Sequence, residues 1–363
     1  MMARIAILSP SVSSGDAVGN DVLGMFGALK RRGAEVQVYA ESGSLDGIEV
    51  RRASRLENFL KSSDDLLIYH FSMGWLPGLE LTRKLGCRIA VRYHNVTPPE
   101  FFAGLSASHE QMGRTGREQL KQIARANHSL YLSASEYNMR ELVEAGAEAS
   151  KNFVLPPFHH VDLLDSVSPD SRILEAYNDG RTNILMVGRL VPHKGHASLI
   201  EAFANYYYNY NSNSRLLIVG KQDEAFRGYY ETLKRLVSRL RLEQSVIFTG
   251  GVTDEELKAY YMIAHLFMIT SKHEGFCVPI VEAMAMKLPV LAYASSAIPG
   301  TVGDAGIVWD ERNPLLMAEA VDCLMRDEAL RAELGEKGLK RYRSFFTNQK
   351  IEDEFIRVLG RLR

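Results

Sequence analysis

Apolar residues in this chain gather in short unbroken runs. Each run leads into a loop rich in Gly, Ser or Pro and then into a longer stretch of helix-forming residues. In the first half the runs Arg4–Ser9, Glu35–Ala40, Leu66–His70, Arg88–Tyr93, Ser129–Ser133 and Phe153–Leu155 predict strands. Between them a helix is expected over about 21–32, stopped by Gly33. A longer one is expected over 108–127, and a third begins behind Ser135 as N-cap. Residues 165–181 turn polar, with Ser, Pro, Asp, Asn and Gly, and read as a linker. The second half resumes the alternation with strands at 183–187, 216–219, 246–249, 264–270 and 289–292. Helices are expected near 196–207, 225–241 and 254–264, the last with a capping box of Thr253 and Glu256. A final helix is expected over about 348–362. Strand–helix alternation in both halves is the pattern of α/β proteins with doubly wound parallel sheets, whose ligands sit at the carboxyl ends of the strands.

Several strand-end loops carry chemistry. The run 264–270 opens into Lys272-His273-Glu274-Gly275-Phe276-Cys277-Val278-Pro279, followed by a helix-forming segment that contains Glu282. A strand-to-helix loop presents backbone N–H groups at a positive helix end, suited to an anionic or polyhydroxylated ligand. Glu274 and Glu282 are placed to meet the two ends of an extended ligand in one cleft. Upstream, Val187-Gly188-Arg189 and Lys194-Gly195 put a planar fork and a point charge five residues apart, a pair suited to a diphosphate. In the first half, Ser9–Asn20 is a Ser- and Gly-rich loop containing Gly15 and Asp16. The dinucleotide fingerprint G-x-G-x-x-G is absent there, which argues against a nicotinamide enzyme. His94 lies in a loop fixed by the paired prolines 98 and 99, and His70 ends another strand.

Together G-R-x-x-x-x-K-G (Gly188 to Gly195) and E-x7-E (Glu274 to Glu282) resemble the retaining nucleotide-sugar glycosyltransferases of family four, the group 1 glycosyl transferases. The resemblance covers essentially the whole chain. It implies the GT-B fold, with two doubly wound Rossmann-like domains facing across a cleft. It places an acceptor-side domain at 1–165, a nucleotide-sugar-binding domain at 166–347 and a C-terminal helix, 348–363, returning to the first domain. It implies that Arg189, Lys194 and Glu274, with His94 near the anomeric carbon, carry the transfer. Donor contacts are expected from Gly15, Asp16, Gly188, Lys221, Val252, Gly275, Phe276, Cys277, Val278 and Glu282, with Glu282 on the ribose hydroxyls. Asp16 stands where the family has a second glycine, Cys277 where it often has glycine, and Gly300 where it often has glutamate.

No Asp-x-Asp pair is present, so no metal cofactor is expected, and the donor is expected to be a UDP- or GDP-linked hexose: mannose, glucose or N-acetylglucosamine. The expected acceptor is a glycan or a lipid-linked unit of envelope polysaccharide, lipopolysaccharide or glycolipid. Retention is implied by the resemblance, and no nucleophile is assigned. A GT-B nucleotide-sugar epimerase, a phosphorylase of the same architecture and a non-catalytic nucleotide-sugar-binding subunit are the alternatives.

The totals change little. With 363 residues, 46% of them apolar, the chain is long enough for two cores, and a net charge of −1 gives no case for nucleic acid. Three separated cysteines suggest reduced thiols and a cytoplasmic location. No stretch reaches the about 20 apolar residues of a membrane span, and the opening residues read as a first strand, not a signal peptide. Arg114, Arg117, Lys121 and Arg125 form a basic stripe on the 108–127 helix. That stripe leaves open a peripheral contact with the inner face of the cell membrane.

Overall fold

The computed structural model describes residues 4–362. Among these the strands are β1 Arg4–Ser13, β2 Glu35–Ser44, β3 Val50–Arg52, β4 Leu66–Phe71, β5 Arg88–Tyr93, β6 Leu130–Ser133 and β7 Asn152–Val154 in one sheet. In a second sheet they are β8 Thr182–Val187, β9 Ser214–Val219, β10 Val246–Gly250, β11 Leu266–Ile269, β12 Val290–Tyr293 and β13 Gly306–Trp309. Every pairing between them is parallel. The orders are β3-β2-β1-β4-β5-β6-β7 and β10-β9-β8-β11-β12-β13. Each sheet therefore reverses once, between β1 and β4 and between β8 and β11. At such a point successive connections leave for opposite faces and open a crevice at the carboxyl ends.

The chain divides into two compact units, Met1–Glu100 with Ala107–His160 and Phe346–Arg363, and Phe101–Ser106 with Val161–Phe345. In the first, strand residues alternate between two cores. Leu67, Tyr69, Val91 and Tyr131 pack on one face, and Ile68, Ala90, Leu130 and Leu132 on the other. Burial on both faces explains why these strands read as unbroken apolar runs. Helix Asn348–Leu359 joins the second of these cores through Ile351, Phe355 and Val358, spaced to share one helical face. In the second unit, Ile184, Met186, Leu216, Ile218, Leu266 and Met268 line one core, while Leu185, Leu217 and Phe267 are buried on the opposite face.

Two expectations are corrected. Strand β1 runs on to Ser13, and the first helix spans Ala17–Arg31, beginning about four residues before the expected start. Asp16 is the reason: its Oδ1 accepts from the Gly19 N–H at 2.6 Å, an N-cap that starts the helix early. The stretch read as a linker begins in the last turn of helix Val161–Ser166 and contains helix Ser171–Tyr177. Asp170 caps the second of these, so its polarity marks a helix start.

Candidate functional site

The second unit's crevice is built from the loops after β8 and β11, with support from those after β9 and β12. Gly188 leaves β8, and a β-carbon on Gly220 would lie 2.0 Å from its carbonyl oxygen, so the loops after β8 and β9 run in close contact. Arg189 follows, 67% exposed, with Asp223 4.0 Å away. A short turn, Pro192–Lys194, ends at Gly195, whose φ is +72° and whose β-carbon would meet the Thr270 carbonyl at 2.1 Å. Only glycine satisfies both conditions. Thr270 Oγ1 donates to the Gly195 carbonyl at 3.0 Å, and the Lys272 N–H to the His193 carbonyl at 2.7 Å. The two motif loops are thereby stitched together.

That stitching puts Lys194 Nζ 2.7 Å from Glu274 Oε1, with side-chain exposures of 14% and 8%. Burial disfavours the Lys194 charge, but the Glu274 carboxylate outweighs it and raises the lysine pKa. The Glu274 N–H donates to Ser296 Oγ at 2.6 Å, Ser295 Oγ donates to the Ser271 carbonyl at 2.6 Å, and Thr301 Oγ1 donates to the Phe276 carbonyl at 2.7 Å. The small-residue loop after β12 and the short helix Ile298–Val302 that follows it are therefore the scaffold of the glutamate loop.

Cys277 sits at φ +78° as the N-cap position of helix Val278–Ala285, buried, its thiol pushed well up by burial and then by Glu274. Gly275 and Val278 flank it, half-buried. Glu282 is buried inside that helix, where Tyr261 donates its hydroxyl to Oε2 at 2.6 Å. It is no solvated helix glutamate. Lys221 is exposed at the end of β9; its stem lies against Gly251, where a β-carbon would come within 2.7 Å of it, and half-buried Val252 follows. No hydrogen bond or ion pair joins Lys221 or Val252 to the Lys194–Glu274 pair.

Tyr261, Ser296 and Thr301 were not singled out for a role by the pattern of residues, nor were Phe101 and Phe102. Segment 101–106 groups with the second unit, where Phe102 is buried against Val191 and Phe226, and the Phe101 ring lies 6.3 Å from His193 and 6.1 Å from His273. A paired aromatic in a loop 90 positions upstream carries no local mark of such a destination.

The first unit's crevice differs. Gly15 adopts φ +85°, and Asp16 is engaged as the helix cap, so the expected donor contact from its side chain competes with that bond. Asp21, read as the helix's first residue, is fully buried within it and meets Arg92 on β5: Arg92 Nε donates to Oδ2 at 2.6 Å. Arg92 Nη1 donates to the Leu155 carbonyl at 2.6 Å, and the Phe158 N–H donates to Asp21 Oδ1 at 2.8 Å. Burial works to raise the Asp21 pKa, but Arg92 foremost holds the carboxyl below its usual range. His94 joins this group from the loop after β5, 3.5 Å from Asp21 Oδ2.

Asn95 fixes that loop at φ +88°, its amide donating to Asn138 Oδ1 at 2.9 Å and Glu141 Oε2 at 2.6 Å; the Tyr93 hydroxyl also donates to Glu141. Tyr93 and Asn95 thus brace the loop that carries His94. In the basic stripe, Arg114 pairs with Glu110 and Arg117 with Glu141, each at 2.6 Å, which halves its unpaired charge. Among the described residues no helix is long and apolar enough to cross a membrane.

The family model described as "Glycosyl transferases group 1" matches residues 169–341, the stretch that holds both motif loops. Over that stretch the chain is similar to the group 1 glycosyl transferases. Among relatives of this family, a GDP-mannose-dependent alpha-(1-6)-phosphatidylinositol monomannoside mannosyltransferase of Mycolicibacterium smegmatis is 32% identical over 218 residues, 56% of this chain and 55% of the relative. The chain thus spans about half the length of that relative. Among solved structures, sucrose-phosphate synthase from Thermosynechococcus elongatus superposes with a TM-score of 0.80 at 20% identity, covering 99% of both chains. Anabaena HepE in complex with UDP and glucose superposes with a TM-score of 0.77 at 17% identity, again over 99% of both. The two parallel sheets are those of the GT-B fold.

Proposed function

We propose that this chain is a group 1 glycosyltransferase that moves a hexose from a nucleotide sugar to a glycan or lipid-linked acceptor, with retention of configuration and without a bound metal ion. The observation that carries the proposal is the Lys194–Glu274 ion pair at the switch point of the second sheet, beside the exposed guanidinium of Arg189. Negative charge develops on the leaving diphosphate as the glycosidic bond opens, and preorganised cations stabilise it most. Arg189 and Lys194 supply them, close enough that Arg189 depresses the lysine pKa. A diphosphate drawing Lys194 toward itself frees Glu274 for the hydroxyls of the donor sugar. Glu282, oriented by Tyr261, takes the ribose, and the N–H groups at Gly275 and the start of helix Val278–Ala285 face the sugar or phosphate oxygens. His94 is assigned to the sugar near its anomeric carbon, and Gly15 to the backbone that approaches the diphosphate.

The proposed donor carries uracil or guanine. The Mycolicibacterium relative is named for GDP-mannose, while the Anabaena structure holds UDP and glucose. A thermal-shift series with UDP, GDP and their hexose conjugates, with and without EDTA, tests the proposal. A ligand at about 100 times its Kd adds roughly 2.7 kcal/mol of stability. One nucleotide is expected to shift the transition equally with EDTA, and Lys194→Ala is expected to abolish the shift and lower kcat by roughly 100- to 1000-fold. A shift that EDTA removes overturns the metal-free mechanism. No shift and no transfer with any nucleotide sugar overturns the proposal.

A further inference from the structure

His70 has no part in the proposed transfer, yet it is fully buried beside the residue that does. Its Nδ1 lies 2.9 Å from His94 Nε2, and the two rings stack with centroids 5.0 Å apart. Asp21 Oδ2 is 3.5 Å from His94 Nε2 and 3.9 Å from His70 Nδ1. The charged groups around the pair are Asp21 on helix Ala17–Arg31 and Arg92 on β5, and these two neutralise each other. Burial pushes the His70 pKa down to about 4 and that of His94 well below its ordinary value; Asp21 opposes both shifts and Arg92 reinforces them. Both rings are therefore neutral near pH 7, and a single proton lies between the facing nitrogens.

The far side of each ring decides where that proton resides. His70 Nε2 is buried with no hydrogen-bond partner among the described residues, whereas His94 Nδ1 is not among the enclosed unpartnered atoms, and His94 keeps 9% side-chain exposure. If the shared proton sat on His94, His70 Nε2 would be an N–H with no acceptor inside the core. If it sits on His70 Nδ1, the core keeps only an unused lone pair, and the second N–H of the pair faces solvent from His94. Orphaned buried N–H donors are the rarer and costlier arrangement. The partner bonded to one imidazole nitrogen sets the tautomer and so what the other nitrogen offers.

We infer that His70 is a positioning residue: it donates its Nδ1–H to His94 Nε2 and so locks His94 as a neutral Nδ1–H donor pointing out of the core. His94 then meets an oxygen acceptor and does not serve as a base through Nδ1. That the acceptor is a hydroxyl or phosphate oxygen of the donor rests on the proposed function; the tautomer does not. Asp21, His70 and His94 also bring one ligand atom each to within 4.8 Å of one another, the spacing of a metal site. Asp21 Oδ2 is already bound by Arg92 Nε at 2.6 Å, and the shared proton engages the facing ring nitrogens.

Long-range 1H–15N correlation of the imidazoles in the 15N-labelled full chain tests this without any substrate. His70→Gln and His94→Gln assign the signals. Both histidines are expected as neutral Nδ1–H tautomers, unchanged from about pH 5 to about pH 8, where an ordinary histidine titrates, and unchanged by EDTA or zinc. An Nε2–H signal for His94, its titration in that range, or a metal-dependent shift overturns the inference. In His70→Phe, which keeps an aromatic ring and removes the donor, His94 is expected to show mixed tautomers. Transfer is expected to fall while binding of the nucleotide alone holds. Unaltered His94 signals in that variant would also overturn it; should that variant not fold, the wild-type spectra still decide. Confirmed tautomers in a protein that binds no nucleotide would instead count against the proposed function alone.

Discussion

The two sheets share one order over six strands, the first adding β7 at its edge, and one kind of switch point, yet they use it in opposite ways. In the first unit the crevice holds an ion pair, Asp21–Arg92, with both partners inaccessible to solvent, and only His94 reaches outward from it. In the second unit the charges stand at the rim: Arg189 lies mostly in solvent, and the Lys194–Glu274 pair keeps partial access. A pair sealed on all sides holds a shape, because neither member can leave without stranding a charge. A pair with an open side can exchange its partner for a ligand. Fold alone does not distinguish these uses; the depth of the charged groups does.

The comparison predicts that breaking the sealed pair is the most damaging change to stability. Arg92→Leu leaves Asp21 buried without its cation and should cost about 3–5 kcal/mol in denaturant unfolding. A cost under about 1 kcal/mol, the range of exposed pairs, would show that the pair is not sealed.

Next comes acid. His70 has a folded pKa of about 4 against an ordinary 6.5. Between those values the unfolded chain binds a proton that the folded chain refuses, so stability is whole above pH 6.5 and falls as pH drops toward 4. The size is about 3 kcal/mol for His70, at about 1.4 kcal/mol per pKa unit. His94 acts in the same direction. In His70→Gln the slope of stability against pH across that window should lose about one proton's worth; an unchanged slope would place the acid sensitivity elsewhere, for instance at His196 in the second unit, whose pKa burial lowers to about 3.

The smallest effect tests the open site. Cys277 holds a left-handed conformation that costs an L-residue roughly 1–2 kcal/mol, partly offset by the extra unfolded-state freedom of glycine. Cys277→Gly should therefore exceed Cys277→Ala in stability by about 1 kcal/mol, the thiol being lost from both. Equal stability would mean that the loop carries no strain.

Much of the second unit's site was legible because its residues are close in sequence. Arg189, Lys194, Gly195, Glu274 and Glu282 lie in two short motifs whose spacing a strand–loop–helix unit converts directly into position. The early helix start at Asp16 was also within reach, since aspartate at an N-cap is a local signal. The braces were not. Tyr261 supports Glu282 from 21 positions away and Ser296 supports Glu274 from 22, each from a separate element with no periodicity to mark it. In the first unit, Arg92 read as one charge in an apolar strand and Asp21 as a helix start.

The sequence by itself determined the alternation of buried strands and amphipathic helices, hence two parallel doubly wound sheets, and the two loops that carry its cations and carboxylates. Those properties follow from local patterning and from chirality, which every residue feels through its neighbours in the chain. Only the tertiary structure decided which charges are sealed and which are open. It paired Asp21 with Arg92 across 71 positions and Lys194 with Glu274 across 80. It also gave His94 a buried histidine at its back. Burial and partner geometry set the state of a titratable group, and both are properties of the folded chain.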